Sequence, residues 1–188
     1  MAAPRKPFEA TSAEASAFLE RAIEQYGKAT YTFAFRLTHN EADARDLTQE
    51  AFIRVYRAWR SFQPGTSFLS WVYRIVTNLH RDELRRRKGR YHEELPEDNA
   101  PQAFGGHRPL AVEPIDEYVE SQLSEPVSKA LDALSPDQRN VVVLADIEEY
   151  SYQEIAEIIG CSIGTVRSRL HRAREQLRKL IRHFSSTS

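Results

Sequence analysis

Apolar residues near the C-terminal end of the chain recur at helical spacing on both sides of a tight turn. The first set is Ile155, Ile158 and Ile159, and the second is Val166, Leu170, Ala173 and Leu177. Each set lines one face of a helix. The sequence S-Y-Q-E at 151–154 is a capping box that begins the first helix. Gly160 suits the left-handed position after its end, and Ser162 can cap the second helix. The pattern predicts a helix-turn-helix.

Helical spacing also dominates the N-terminal half. We predict helix over residues 14–62, with a polar break at H-N-E-A-D (39–43), and again over 68–88, after a turn signal at Q-P-G-T (63–66). Further along, S-P-D-Q at 135–138 is a second capping box, with proline at the first helical position. No alternation of polar and apolar residues is long enough to predict a β-strand. The expected fold class is therefore all-α.

Residues 91–121 interrupt the helical pattern. They contain four prolines, the pair Gly105-Gly106 and many acidic residues, and they have too little apolar surface to fold alone. We therefore predict two small helical domains joined by a flexible acidic linker, the second domain containing the helix-turn-helix. The expected divisions are a disordered tail (1–13), an N-terminal domain (14–90), the linker (91–121) and a C-terminal domain (122–184).

The net charge of −1 conceals a strong separation of charge. Residues 81–90 hold six basic and two acidic side chains, residues 167–182 hold seven basic and one acidic, and residues 91–125 hold nine acidic and one basic. On the second helix of the helix-turn-helix, the face opposite the apolar stripe carries Ser168, His171 and Arg172, flanked by Arg167, Arg169, Arg174 and Arg178. Because the arginine fork fits guanine edges and phosphates, this face predicts contact with double-stranded DNA.

Two segments of the N-terminal half carry unusual surfaces. The helix around 43–60 has apolar residues opposite its core stripe, beside Gln49: Phe52, Ile53 and Tyr56. Either another protein binds this face, or a helix of the same domain covers it. The segment 68–90 combines aromatic and basic residues, which suits stacking on exposed bases. Trp71 also falls at core spacing, so it either packs internally or contacts a base.

Other chemistry is largely excluded by what the sequence lacks. The single cysteine, Cys161, forms no internal disulfide and suits a reducing cytoplasm, with a packing role favoured over redox sensing. No apolar run approaches the ~20 residues of a membrane helix, and the N-terminus has no signal-peptide core. The six histidines show no metal-ligand or catalytic spacing, and His80 with Asp82 is a weak pair. We predict a cytoplasmic, non-enzymatic protein without a cofactor, a metal site or membrane insertion.

Three segments together resemble the extracytoplasmic-function (ECF) group of sigma factors, the alternative specificity subunits of bacterial RNA polymerase. They are DARDLTQEAFIRVYRAW (43–59), FLSWVYRIVTNLHRDELRRR (68–87) and LSPDQRNVVVLADIEEYSYQEIAEIIGCSIGTVRSRLHRAR (134–174). The resemblance covers roughly 25–90 and 122–183. It implies promoter-specific transcription initiation, with core RNA polymerase, promoter DNA and a cognate anti-sigma factor as partners. The polymerase contacts would lie on the clamp helices of the largest subunit and on the flap.

The resemblance also implies three sets of contact residues. The polymerase set, on the clamp-helix surface, comprises Asp46, Gln49, Glu50, Phe52, Ile53 and Tyr56. The −10 set would melt the promoter −10 element, with Asn78 in a loop that captures a flipped-out base; it comprises Trp71, Tyr73, Arg74, Thr77, Asn78, Arg81 and Arg85. The −35 set would read the −35 element in the major groove; it comprises Thr165, Arg167, Ser168, His171, Arg172 and Arg174. The linker would thread through the polymerase.

Two positions depart from the family pattern. Ser162 stands where many relatives have proline, and a serine cap serves the same helix start. His171 occupies a variable position, so its −35 preference is not inherited. Two alternative functions are a stand-alone transcriptional regulator that dimerises on a palindromic site and a nucleic-acid enzyme. The first would not need the apolar face around Ile53, and the second lacks any catalytic constellation.

Overall fold

A computed structural model describes residues 7–63, 65–89 and 123–185, and every regular element in these ranges is helical. The predicted all-α class is confirmed; the predicted linker lies outside the described residues. The α-helices are α1 (Pro7–Thr38), α2 (Glu41–Ala58), α3 (Phe68–Gly89), α4 (Glu125–Asp132), α5 (Pro136–Val142), α6 (Tyr152–Ile159) and α7 (Ile163–Ser185). A 3₁₀ turn (Trp59–Ser61) follows α2, and a π-helical turn (Val143–Ile147) follows α5.

The N-terminal domain is built from α1, α2 and α3. The polar break after α1 is present, since His39 has a φ of 50° and the Asn40 side chain accepts a hydrogen bond from the Asp43 amide at 3.0 Å. Helix α1 begins at Pro7, inside the segment expected to be a tail. Inside the domain, the Tyr73 ring stacks on the Phe33 ring with their centroids 4.0 Å apart. Other buried residues include Leu37, Leu47, Ala51, Val55, Val72 and Val76.

The helix ends of the C-terminal domain confirm the predicted local signals. Ser135 and Gln138 form a complete capping box, and so do Ser151 and Glu154. The turn after α6 places Gly160 at φ 73°. Ser162 accepts a hydrogen bond from the Thr165 amide at 3.1 Å, which caps α7. These caps satisfy the free amides at the helix starts, and α6 packs against α7 to complete the helix-turn-helix.

Helix α7 presents the predicted apolar stripe to its own domain. Val166, Leu170 and Ala173 are almost completely buried, and α7 packs against α4, α5 and α6. Cys161 is half-buried beside this core, in agreement with a packing role. The charged side of α7 is consequently turned to solvent.

The two domains also contact each other directly. Helix α3 packs against α6, and α1 approaches α5 and the π-helical turn. The Arg139 guanidinium of α5 donates to the Leu37 carbonyl of α1 at 2.7 Å. The C-terminal domain therefore rests on one side of the N-terminal domain.

The turn glycine provides a test of the helix-turn-helix geometry. A Cβ added at Gly160 would meet no atom within 4 Å, so Gly160→Ala should cost only the left-handed backbone strain, about 1–2 kcal/mol of unfolding free energy. Gly164 is a matched control in the first turn of α7, where its added Cβ would be 3.7 Å from the Ser162 hydroxyl. Gly164→Ala should stabilise by about 0.5 kcal/mol through helix propensity. Urea titration should show that the free energy of unfolding falls for Gly160→Ala and rises for Gly164→Ala. Equal changes in the two variants would contradict the left-handed conformation of Gly160.

Candidate nucleic-acid interface

The −35 set lies on the solvent-facing side of α7. Arg167, Ser168, His171 and Arg172 are exposed, and Thr165 is half-buried. The Arg172 Nε donates to the Ser168 carbonyl at 3.2 Å, which leaves its other guanidinium nitrogens toward solvent. Four polar side chains thus share one exposed face of a rigidly packed helix, as direct base readout requires.

Arg174, the last member of the −35 set, is engaged within the protein. Its guanidinium pairs with the Asp146 carboxylate, and Nη1 lies 3.5 Å from the Tyr152 hydroxyl. The hydrogen bond that its guanidinium donates to the Asp146 carboxylate raises the pKa of Arg174 above its usual range. Arg169 is held in the same manner by Asp137 at 2.7 Å. These two arginines therefore fix α7 to its own domain rather than extending toward DNA.

The whole polymerase set lies on α2, and every member except Phe52 is at least partly exposed. Asp46 is exposed, and Gln49, Glu50, Ile53 and Tyr56 are partly exposed along one side of the helix. The Glu50 carboxylate accepts from Arg54 Nε at 3.1 Å.

Phe52 is fully buried, so for this residue the second alternative holds: helices of the same domain cover it, and its expected place in the polymerase set is wrong. Helix α2 is covered by both α1 and α3, which makes its buried arc wider than the single stripe defined by Leu47, Ala51 and Val55. One of the three residues of the apolar face that the sequence predicted, Phe52, is thus internal. The exposed remainder is the strip formed by Gln49, Ile53 and Tyr56.

The −10 set is divided between surface and interior. Arg74 and Arg85 are exposed and Asn78 is partly exposed, whereas Tyr73 and Thr77 are buried. Helix α3 runs unbroken from Phe68 to Gly89, so Asn78 does not lie in a loop, and that expectation is corrected. The basic run after Leu79 adds strong helix formers, which favour continuation over a break.

Trp71 belongs to an aromatic cluster. Its ring lies 5.4 Å from the Phe62 ring and 5.8 Å from the Phe68 ring, centroid to centroid. Phe18 completes the cluster from α1. The packing role that the spacing of Trp71 suggested is therefore present, and the side chain keeps a partly exposed edge.

Tyr73 and Arg81 of the −10 set contact the C-terminal domain. The Tyr73 hydroxyl donates to the Glu148 carboxylate at 3.0 Å, and Arg36 donates to the other oxygen of Glu148 at 2.6 Å. Burial, followed by the neighbouring Glu148 charge, raises the pKa of Tyr73 above its usual range. Arg81 Nη2 donates to the Ile159 carbonyl at the end of α6, at 2.9 Å. Sequence spacing gave no sign of these contacts.

His80 is a buried titratable group at the same domain boundary. Its side chain lies between α2, α3 and α5. Burial, followed by the positive charges of Arg139 and Arg87, lowers its pKa to about 4, and the negative charge of Asp43 acts in the opposite direction. Its Nδ1 has no hydrogen-bond partner. Among the described residues, no group of three or more His, Cys, Asp or Glu side chains could hold a metal ion.

The lowered pKa of His80 predicts a loss of stability in mild acid. Unfolded histidine titrates near pH 6.5, so between pH 6.5 and 4 only the unfolded chain gains this proton, and the free energy of unfolding falls as pH falls. The His80 contribution should be about 2 kcal/mol between pH 7 and 5. Urea titrations at both pH values should show a weaker pH dependence for His80→Gln than for the wild type. Equal dependence would contradict the assignment.

No helix within the described ranges is long and apolar enough to cross a membrane. Two family models match the chain: Sigma-70 region 2 over residues 22–90 and Sigma-70, region 4 over residues 124–177. The ECF RNA polymerase sigma factor SigE of Mycolicibacterium smegmatis is 44% identical over 185 residues, which cover 96% of this chain and 69% of the relative. The ECF RNA polymerase sigma factor SigW of Bacillus subtilis is 36% identical over 162 residues, which cover 85% and 87%.

A solved structure has the same fold. The sigma factor RpoE of Bartonella quintana, in a co-crystal with the anti-sigma factor NepR, superposes with a TM-score of 0.64 at 27% identity. The superposition covers 87% of this chain and 96% of the RpoE chain. The similarity therefore extends over both domains.

Proposed function

We propose how this chain, which belongs to the ECF RNA polymerase sigma factors, divides promoter-specific transcription initiation between its two domains. The C-terminal domain reads the −35 element and the N-terminal domain binds core polymerase and opens the −10 element. The exposed polar face of α7 carries this proposal most directly. The chain has no catalytic activity of its own, and it works in the cytoplasm with the polymerase.

Reading of the −35 element is assigned to Arg167, Ser168, His171 and Arg172. These side chains extend into solvent from a helix whose opposite face is fully packed, so α7 can enter a major groove without rearrangement. Arginine at two of the four positions suits guanine edges or phosphates. Arg174 contributes by fixing the position of α7 through Asp146.

Binding of core polymerase is assigned to the α2 strip of Gln49, Ile53 and Tyr56 with Asp46 and Glu50. Partly exposed apolar groups bordered by carboxylates suit a partner with apolar and basic side chains. The −10 element is assigned to the exposed edge of α3: Trp71, Arg74, Asn78 and Arg85, with Arg81 joining when its contact to the C-terminal domain is released.

The partners follow from the family and its relatives. RpoE of Bartonella quintana was crystallised with an anti-sigma factor, and its fold extends over both domains of this chain. We therefore include a cognate anti-sigma factor, with core polymerase and promoter DNA, among the partners of this protein. Regulation by such a partner would reach both domains at once.

Run-off transcription with purified bacterial core polymerase, on the region upstream of the protein's own gene, tests the proposal. Initiation should depend on added protein. Arg167→Ala/Arg172→Ala should reduce it at least roughly tenfold, since each base or phosphate contact is worth about 1–3 kcal/mol. The control Arg178→Ala/Lys179→Ala removes the same charge from exposed positions farther along α7. Specific duplex binding without protein-dependent transcripts would favour the stand-alone regulator instead.

A further inference from the structure

Two arginines on one flank of α7 differ in their electrostatic surroundings. Arg174 follows Arg167 by seven residues, which places the two side chains within about 20° of each other around the helix. Arg167 is exposed, whereas the guanidinium of Arg174 is paired with the carboxylate of Asp146. The two positions are therefore similar with respect to a bound DNA duplex, but one of the two charges is neutralised within the protein.

The ion pair between Arg174 and Asp146 is bidentate. Arg174 Nε donates to Oδ2 of Asp146 at 3.1 Å, and Nη2 donates to Oδ1 of the same carboxylate. The remaining nitrogen, Nη1, lies 3.5 Å from the hydroxyl of Tyr152 at the start of α6. Two parallel hydrogen bonds between a guanidinium and a carboxylate are stronger and more specific in geometry than a single contact. Each nitrogen of the guanidinium thus faces an oxygen atom of the protein.

Asp146 approaches α7 from the π-helical turn that follows α5. Val143 and Leu144 of this turn are buried, and the Val143 carbonyl accepts from the Glu148 amide at 2.9 Å. Turns of this kind often occur at functional positions. The backbone of Asp146 is therefore held by the core of the domain. If Arg174 moved to a DNA phosphate, the Asp146 carboxylate would be left unpaired beside the negatively charged duplex.

The opposite flank of α7 has a similar pair. Arg169 Nη2 donates to Asp137 Oδ2 at 2.7 Å, and the Arg169 side chain is 26% exposed, compared with 45% for Arg174. Sequence-independent affinity for duplex DNA depends on the number of phosphates that basic side chains neutralise. Both pairs should therefore reduce this affinity. Arg174 is the more accessible of the two arginines, so release of its pair should add a phosphate contact most readily.

We propose that Asp146 holds Arg174 away from DNA and thereby limits the sequence-independent affinity of this chain for duplex DNA. The inference rests on the proposed function of α7 in reading the −35 element. The exposed residues of the −35 set keep their roles, because the pair lies beside them on the flank of the helix. A low sequence-independent affinity leaves more of the protein free to bind core polymerase, since non-specific sites greatly outnumber promoters.

The salt dependence of duplex binding tests the proposal. The full chain is titrated into a fluorescein-labelled duplex of random sequence, about 30 base pairs long, between about 50 and 200 mM NaCl. For Asp146→Asn, the slope of log K against log[NaCl], where K is the association constant, should be more negative than for the wild type by about 0.9, because one more phosphate is neutralised. Over this range the variant should lose about 3.5-fold more affinity than the wild type. An unchanged slope would overturn the proposal.

The control for the change of charge is Glu149→Gln. Glu149 is exposed three residues after Asp146, and its substitution removes the same negative charge without releasing Arg174. The slope should stay at the wild-type value. A slope as steep as that of Asp146→Asn would show that the net charge, and not the release of Arg174, determines the affinity, which would overturn the proposal.

Arginine variants identify the side chain that makes the added contact. Asp146→Asn/Arg174→Ala should return the slope to the wild-type value, because the released guanidinium is absent. In the wild-type background, Arg167→Ala should make the slope less negative by about 0.9, whereas Arg174→Ala should leave it unchanged. Equal effects of Arg167→Ala and Arg174→Ala would show that Arg174 already contacts DNA, which would overturn the proposal. These two variants test it without any change at Asp146.

A second duplex separates this inference from the proposed function. It carries the intact −35 element of a promoter mapped by the run-off assay, and it is compared with the duplex of random sequence. If the wild type prefers the intact element but the slope for Asp146→Asn is unchanged, only the inference fails. If the slope becomes steeper but the wild type binds both duplexes equally, only the reading of the −35 element fails. Circular dichroism confirms that each variant is folded.

Discussion

Gln49→Ala/Ile53→Glu is expected to weaken binding to core RNA polymerase at least roughly a hundredfold, which corresponds to about 2.7 kcal/mol. Both side chains are partly exposed on the same side of α2, beside Asp46 and Glu50. Ile53 is the aliphatic side chain of this strip, and a glutamate there would place an unpaired charge in the centre of the interface. Protein-dependent run-off transcription should disappear with the binding.

The control for this variant is Ala17→Glu/Gln25→Ala. Both positions are exposed on α1, and the pair reproduces the charge change and the glutamine truncation away from the α2 strip. Fluorescence anisotropy of labelled protein with core polymerase measures the affinities, and circular dichroism checks the fold. Equal weakening by both pairs would show that the added charge, and not its position, lowers the affinity for core polymerase. An unchanged affinity of Gln49→Ala/Ile53→Glu would show that the α2 strip is not part of the polymerase interface.

Local signals predicted the C-terminal domain well. Each capping box brings together residues three apart, and Gly160 needs only its own φ, so short-range chemistry determines these ends. The stripe of Val166, Leu170 and Ala173 also fixed which side of α7 faces solvent. The exposed part of the −35 set could be read from the sequence because it depends on one helix and its period.

The same reasoning left the outcome open where two neighbouring helices pack against one helix. A single stripe on α2 placed Phe52 outside, but α1 and α3 cover adjoining sides, and the residue is buried. The expected loop at Asn78 came from family resemblance, whereas the chain continues as helix through Gly89. The π-helical turn after α5 also has no signal in the apolar run V-V-V-L-A (141–145).

The contacts between the domains could not be predicted from the sequence. Arg36 and Glu148 are 112 residues apart, and Arg81 and Ile159 are 78 apart. Taken singly, each of these residues would be interpreted as a charged surface residue or as an aliphatic core residue. Their pairing depends on how two finished surfaces meet, which neither periodicity nor capping encodes. The arrangement of the −10 set was consequently visible only in three dimensions.

Leu170→Ala should lower the free energy of unfolding by about 2–5 kcal/mol, the range for truncating a buried leucine. Leu170 is 1% exposed at the centre of the α7 stripe, between Val166 and Ala173. This loss of stability includes the lost transfer free energy of the removed side-chain atoms and the cost of the cavity that remains. Urea titration followed by circular dichroism measures it.

His171→Ala separates the packed side of α7 from its reading side. His171 is the next residue along the helix and is exposed, so its truncation should change the unfolding free energy by no more than about 0.5 kcal/mol. It should instead alter the −35 base preference measured with a panel of single-base promoter variants. Leu170→Ala should weaken binding to all of these promoter variants by the same factor, because it weakens the packing of α7 without changing a residue that contacts a base. An altered base preference from Leu170→Ala, or a large destabilisation from His171→Ala, would mean that the two sides of α7 are not independent.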